Sequence, residues 1–284
     1  MFKLFKYDFR AISRRLVPLY LVAIVIGVVN QICSTVVIRM SNHISEGNAV
    51  YAIFYVLKMV FSFSFFLMMS YVSILTIFIL ITNFNNSVYG NEGYLINSLP
   101  ISSKDLIFAK YFNFVFWTFV SGILYIIFYI IGVSNSILAS GQNVDIPKSE
   151  LDFMKQRIFS SPYFPKIVGI IIIVVICLIL YQLLCSWIFM MCVTFANLVK
   201  SNKLIMGIVT YVITGVIIGI IYLSLMISFF LKVESLASKG NGDVAVVFDL
   251  VRNYGIICII IEILLNIGVF FLINYIHSKK IDLE

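Results

Sequence analysis

The sequence predicts an all-α membrane protein with six transmembrane helices, and three observations carry that prediction. Apolar residues make up 62% of the 284-residue chain and charged residues 12%, against roughly 45–50% and about 25% in soluble domains. Mean hydropathy is +1.07. The apolar residues run continuously instead of alternating, which argues against a transmembrane barrel, the other backbone that lipid tolerates. A surface so poor in charge is stable where lipid is the solvent.

The first element is amphipathic. Phe2, Phe5, Phe9, Ile12 and Leu16 recur at helical spacing, and Lys3, Lys6, Arg10, Arg14 and Arg15 take the other side. Residues 1–15 thus read as an interfacial helix whose cations meet anionic headgroups. The apolar run behind it, Leu16–Ile38, exceeds a signal-peptide core and has no small-x-small cleavage site, so it reads as the first span. A spanning helix needs about 20 apolar residues, and five further runs qualify: Tyr55–Ile81, Tyr111–Val133, Ile167–Thr194, Leu204–Leu231 and Tyr254–Ile276. An even number of spans puts both termini on one side. The dense cationic cluster before span one, with Lys104, Lys110, Lys200, Lys203, Lys279 and Lys280 on the same side, predicts cytoplasmic termini.

The connecting segments are read in turn. Residues 134–166 form an outer loop, in which Pro147 opens a short helix with an apolar stripe of Leu151, Met154 and Ile158, and Pro162 and Pro165 end it. Residues 232–253 form a second outer loop, with a turn at Ser238–Asp243 and Asp243 capping a brief apolar helix, Val244–Val251. No internal repeat is evident, and residues 1–284 are expected to make a single transmembrane domain. Between spans two and three, residues 82–110 form a cytoplasmic loop. There Pro100 biases Leu99 away from the helical region, and Ser102 caps a new helix with Asp105 as its capping-box partner. A short helix, a bend and a restart into span three are expected.

Several chemistries find no support in the residues. The five cysteines, Cys33, Cys177, Cys185, Cys192 and Cys258, sit in apolar runs without CxxC or Cys/His spacing. Cys177, Cys185 and Cys192 share one face of the fourth span and read as small packing residues. His43 and His277 are the two histidines, so no metal site and no catalytic cluster is expected. No GxxxxGK[ST] phosphate loop is present, so the chain is not expected to hydrolyse ATP. The net charge of +7 follows from membrane topology, and the 26 Phe and 16 Tyr read as lipid-facing bulk and interfacial belt. Nucleic acid is not an expected partner; the lipid membrane is.

Two charges fall inside predicted spans. Lys58 in span two and Glu262 in span six both lie in the outer half, where a charge must face the bundle interior, a partner or a water-filled path. They could pair with one another, and Asn266, one turn beyond Glu262, is a candidate hydrogen-bond partner for it. Gly215 and Gly219 make a small-xxx-small pattern expected to serve helix packing.

The stretch Tyr89-Gly-Asn-Glu-Gly-Tyr-Leu, followed by Leu99-Pro-Ile-Ser and Lys110, resembles the intracellular loop of bacterial ABC-2-type permeases, the membrane subunits of ATP-binding-cassette exporters. The amphipathic N-terminal helix and the six-span layout extend the resemblance over most of the chain. The resemblance implies that Glu92, Gly93, Tyr94, Leu95, Leu99 and Pro100 form a coupling helix that docks on an ATPase subunit, and that residues 2–15 form an interfacial elbow. It implies an exporter of an amphiphilic substrate, such as a peptide antibiotic or lipid-like compound, in the bacterial cell membrane. ATP and Mg would be held by the separate ATPase, in two copies, and a second permease copy or a paralogous permease would complete the pair. A secondary transporter is the alternative, although paired broken helices and several midplane carboxylates would then be expected. A membrane immunity or scaffold protein is another.

Overall fold

The computed structural model describes residues 2–42, 49–90, 93, 102–139, 156, 159–238 and 244–279. Six helices account for nearly all of them: α1 (Phe2–Asn42), α2 (Ala49–Val88), α3 (Ser103–Ala139), α4 (Phe164–Ala196), α5 (Lys203–Ser238) and α6 (Val244–Lys279). Each contains a segment long and apolar enough to cross a membrane. The protein is an all-α, multi-pass membrane protein. Along all six helices many large aliphatic and aromatic side chains are exposed, as lipid-facing surface requires.

The helices outrun the apolar runs that announced them. The amphipathic stretch and span one form one 41-residue helix with Pro18 inside it. Helix α2 continues past Ile81 through the polar run Asn83–Ser87 to Val88, because a buried stripe continues with it: Val72, Thr76, Leu80, Phe84 and Val88 recur every fourth residue. Residues 82–88, expected as loop, are therefore helical. Val244–Val251, expected as a separate outer helix, is the first two turns of α6. The short helix expected around Leu151 and Met154 lies outside the described residues. The restart into span three is capped as expected. The Ser102 hydroxyl donates to Asp105 Oδ2 (2.9 Å), and the Asp105 N–H donates to Ser102 Oγ (3.2 Å).

The chain divides into two compact units, Met1–Asn86 with Phe108–Asp145, and Ser87–Ile107 with Ile146–Glu284. The first unit is tied by polar side chains. The Tyr20 hydroxyl of α1 hydrogen-bonds the Thr76 hydroxyl of α2 (3.1 Å) and donates to the Trp117 carbonyl of α3 (3.3 Å). Asn30 of α1 donates to the Phe61 carbonyl and to Ser64 of α2, and Gln31 donates to the Phe128 carbonyl of α3. At the start of α1, Asp8 makes a 2.6 Å ion pair with Lys110 of α3, whose side chain is 3% exposed. Phe9 stacks on Trp117 beside it. The starts of α1 and α3 therefore lie at the same depth, as parallel first and third spans require.

The second unit is mostly apolar. Helix α4 packs along α6 and, less extensively, against α5. Leu184, Ile188 and Cys192 of α4 meet Ile218 of α5 and Leu265 and Val269 of α6. Cys192 is thus packed as expected; Cys177 and Cys185 on the same face are half-buried and, like all described cysteines, free. A tight turn joins α4 to α5, with Asn202 in the left-handed region (φ 57°) just before α5 begins, a conformation that asparagine tolerates better than most residues.

Glycine marks the closest helix approaches, at positions the small-residue pattern did not indicate. A Cβ on Gly27 would sit 2.8 Å from the Phe128 ring of α3, and one on Gly255 would sit 2.5 Å from Ile173 Cγ2 of α4. Gly215 and Gly219 instead face open space within the chain, so their expected packing role is not met by any described helix.

Candidate functional site

The loop between α2 and α3 contributes anchoring residues at both ends. Tyr89, the first residue after α2, donates its hydroxyl to Thr194 Oγ1 near the end of α4 (3.0 Å), and its ring lies 6.0 Å from that of His277 on α6. Burial pushes the Tyr89 phenol up to about 12, so it remains a neutral donor. The loop then turns: the Gly93 N–H donates to the Gly90 carbonyl (2.8 Å), and Gly93 is buried. A Cβ on Gly93 would collide with the backbone carbonyl of Val88, so the close approach there requires glycine. At the far end stands the Ser102–Asp105 cap. Glu92, Tyr94, Leu95, Leu99 and Pro100 lie outside the described residues.

Lys58 and Glu262 fall in different units, each with its own surroundings. Lys58 lines a cavity of about 430 Å³ in the first unit, where Asn30, Gln31, Ser34 and Ser62 supply a polar wall and Phe65 and Phe128 an aromatic one. No described carboxylate makes an ion pair with it.

Glu262 is 3% exposed, on the face of α6 that meets α4 and α5. Its Oε1 accepts a 2.8 Å hydrogen bond from the Tyr222 hydroxyl of α5. Its Oε2 is buried with no hydrogen-bond partner among the described residues. Asn266 does not fill that role: its Nδ2 donates to the backbone carbonyls of Glu262 (2.8 Å) and Leu180 (3.3 Å), not to the carboxylate. Tyr222, forty positions away, is the partner that sequence spacing did not reveal. Glu262 also lines a cavity of about 420 Å³ together with Cys177, Tyr181, Tyr222, Gly255 and Cys258, under walls of isoleucine, leucine and valine.

The ends of α4 and α6 near residues 166 and 249 carry a small charged cluster. Lys166 binds Asp249 (3.1 Å), which also faces Arg252 (3.4 Å). All three are substantially exposed, so the cluster contributes little to stability. No group of three His, Cys, Asp or Glu among the described residues is arranged to hold a metal ion. Comparison with protein-family profiles, with curated proteins and with solved structures returns no match for this chain.

Proposed function

We propose that the chain is the membrane subunit of an ATP-driven exporter of amphiphilic compounds in a bacterial cell membrane. Its termini face the cytoplasm, and a separate ABC ATPase docks on the loop between α2 and α3. The reading rests on the resemblance of that loop to the coupling segment of ABC-2-type permeases. One observation supports a coupling role in particular: the Tyr89–Thr194 hydrogen bond, beside His277, ties the start of the loop to α4 and α6. Force applied at Glu92–Pro100 would thereby reach two of the three helices that line the Glu262 cavity.

Co-purification with an ATPase encoded beside the gene, followed by ATPase assay with and without this chain, tests the reading. Replacing Glu92, Tyr94 and Leu99 together by Ala is expected to abolish stimulation while the protein still inserts. Unchanged stimulation would move docking elsewhere, and uptake driven by an ion gradient without any ATPase would favour a secondary transporter. Orientation is tested with reporters active only outside the membrane. Fusions after Gly47, Gly141 and Gly240 should be active and fusions after Gly90, Ser201 and Glu284 silent; the reverse pattern would place the loop on the wrong side for an ATPase.

A further inference from the structure

We propose that the cavity lined by α4, α5 and α6 is a binding site for a hydrophobic organic cation, an ammonium or phosphonium carrying a bulky apolar body, with Glu262 as its counter-ion. Three observations carry this. The carboxylate lies in an apolar segment where an unpaired charge is costly, and its side chain offers one oxygen, Oε2, that is buried without a partner. The cavity that Glu262 lines is walled by aliphatic side chains and has a volume of about 420 Å³, within the range of small-molecule pockets, roughly 300–1,000 Å³. Tyr181 and Tyr222, packed edge to face with centroids 6.3 Å apart, place two electron-rich rings beside the carboxylate, suited to a cation.

The charges of the same unit do not satisfy Glu262 instead. Arg252 stands ten positions earlier on α6, about 15 Å along the helix axis, and with Lys166 it already faces Asp249. The cavity lining thus holds one anionic group, Glu262, and one cation, Arg252, whose charge is already shared with Asp249. An anion would meet Glu262 unfavourably. A metal ion would find no second charged ligand in the lining, and a strongly hydrogen-bonding ligand would leave its groups unpaired against aliphatic walls. A soft, weakly hydrated cation with apolar substituents fits both the charge and the walls. The Tyr222 bond fixes the carboxylate so that Oε2 remains the free acceptor. The identification of this ligand class with the transported substrate rests on the exporter reading; its binding does not.

The test uses the purified full chain in phosphatidylcholine nanodiscs without ATPase, with empty discs as background. Radiolabelled tetraphenylphosphonium is compared with tetraphenylborate, an anion of the same shape. Saturable binding of the phosphonium but not the borate is expected, with affinity reduced about tenfold or more by Glu262→Gln. Tyr222→Phe should weaken it by a smaller factor. Equal binding of both ions to the wild type, or unchanged phosphonium binding to Glu262→Gln, would overturn the proposal. Should Glu262→Gln fail to fold, Cys258→Phe, which fills the cavity and keeps the charge, is expected to abolish binding; retained binding would place the cation elsewhere. Phosphonium binding by a chain that stimulates no ATPase would uphold this site and remove the exporter reading.

Discussion

The two units of the molecule are built from the same kind of helix and held together differently. In the first, α1, α2 and α3 are joined by directed polar contacts: Tyr20 to Thr76 and Trp117, Asn30 to α2, Gln31 to α3, and the Asp8–Lys110 ion pair. In the second, α4 and α6 meet mainly along an aliphatic seam and the bare backbone of Gly255, with Asn266 reaching the Leu180 carbonyl and the exposed Lys166–Asp249 pair as lesser polar ties, and the buried carboxylate there has a single described hydrogen-bond partner. Lipid tails compete with apolar helix–helix contacts but offer nothing to a polar side chain. Polar ties therefore specify one arrangement of neighbours, whereas a seam of isoleucine and leucine can shift with a smaller loss. The unit with the apolar seam also contains the Glu262 cavity and the tyrosine anchor of the loop.

The largest effect that would test this contrast is at the buried ion pair. Lys110→Met leaves Asp8 without its partner and should destabilise the protein by about 3–5 kcal/mol, read as loss of monodisperse protein and a lower unfolding temperature in nanodiscs. Asp8→Leu combined with Lys110→Met should recover most of that loss. A silent Lys110→Met would mean that α1 and α3 are held by packing, and the contrast between the units would fall. Next comes the closest approach in the second unit. Gly255→Leu must displace Ile173 and is expected to cost about 1–3 kcal/mol, while also narrowing the cavity. A stability unchanged by it would show that α4 and α6 can separate freely.

Smaller shifts sharpen the comparison. Tyr20→Phe removes one hydroxyl that meets Thr76 and the Trp117 carbonyl and should cost about 1 kcal/mol. Tyr222→Phe in the second unit should change stability less, because it breaks one hydrogen bond where Tyr20→Phe breaks two. Equal losses would indicate that both units depend on polar ties alike. Smallest of all, Gly215→Ala and Gly219→Ala point into open space and should stay within about 0.5 kcal/mol. A larger loss at either would reveal a second chain on that face of α5, detectable as a change in oligomeric state.

Much of this architecture was legible in the residues. All six apolar runs lie inside helices, and the Ser102–Asp105 cap forms where the spacing places it. The limits of the helices were less legible. Hydropathy ends α2 at Ile81, yet the i, i+4 stripe from Val72 to Val88 carries the helix through five polar residues. The same reasoning failed at Val244–Val251, where a capping aspartate suggested a helix of its own and the chain runs on into span six. For the intramembrane charges, position along a span predicted burial of Glu262 but not its partner. Asn266 is one turn away and bonds the backbone, whereas Tyr222 comes from another helix. Small-xxx-small spacing was a poor guide: Gly215 and Gly219 match it and touch nothing, whereas Gly255, which matches no such spacing, makes a tight contact.

Composition and the length of the apolar runs were enough to establish six helices in lipid, because each run must satisfy its own backbone hydrogen bonds within itself. That requirement is local, so it can be read from consecutive residues. Which helices pair, which glycine is approached and which hydroxyl reaches Glu262 depend on the rotation and register of one helix against another. Those are set by the summed fit of many side chains far apart in sequence, and lipid-facing and helix-facing positions in such runs share the same apolar alphabet. The packed chain alone resolved them.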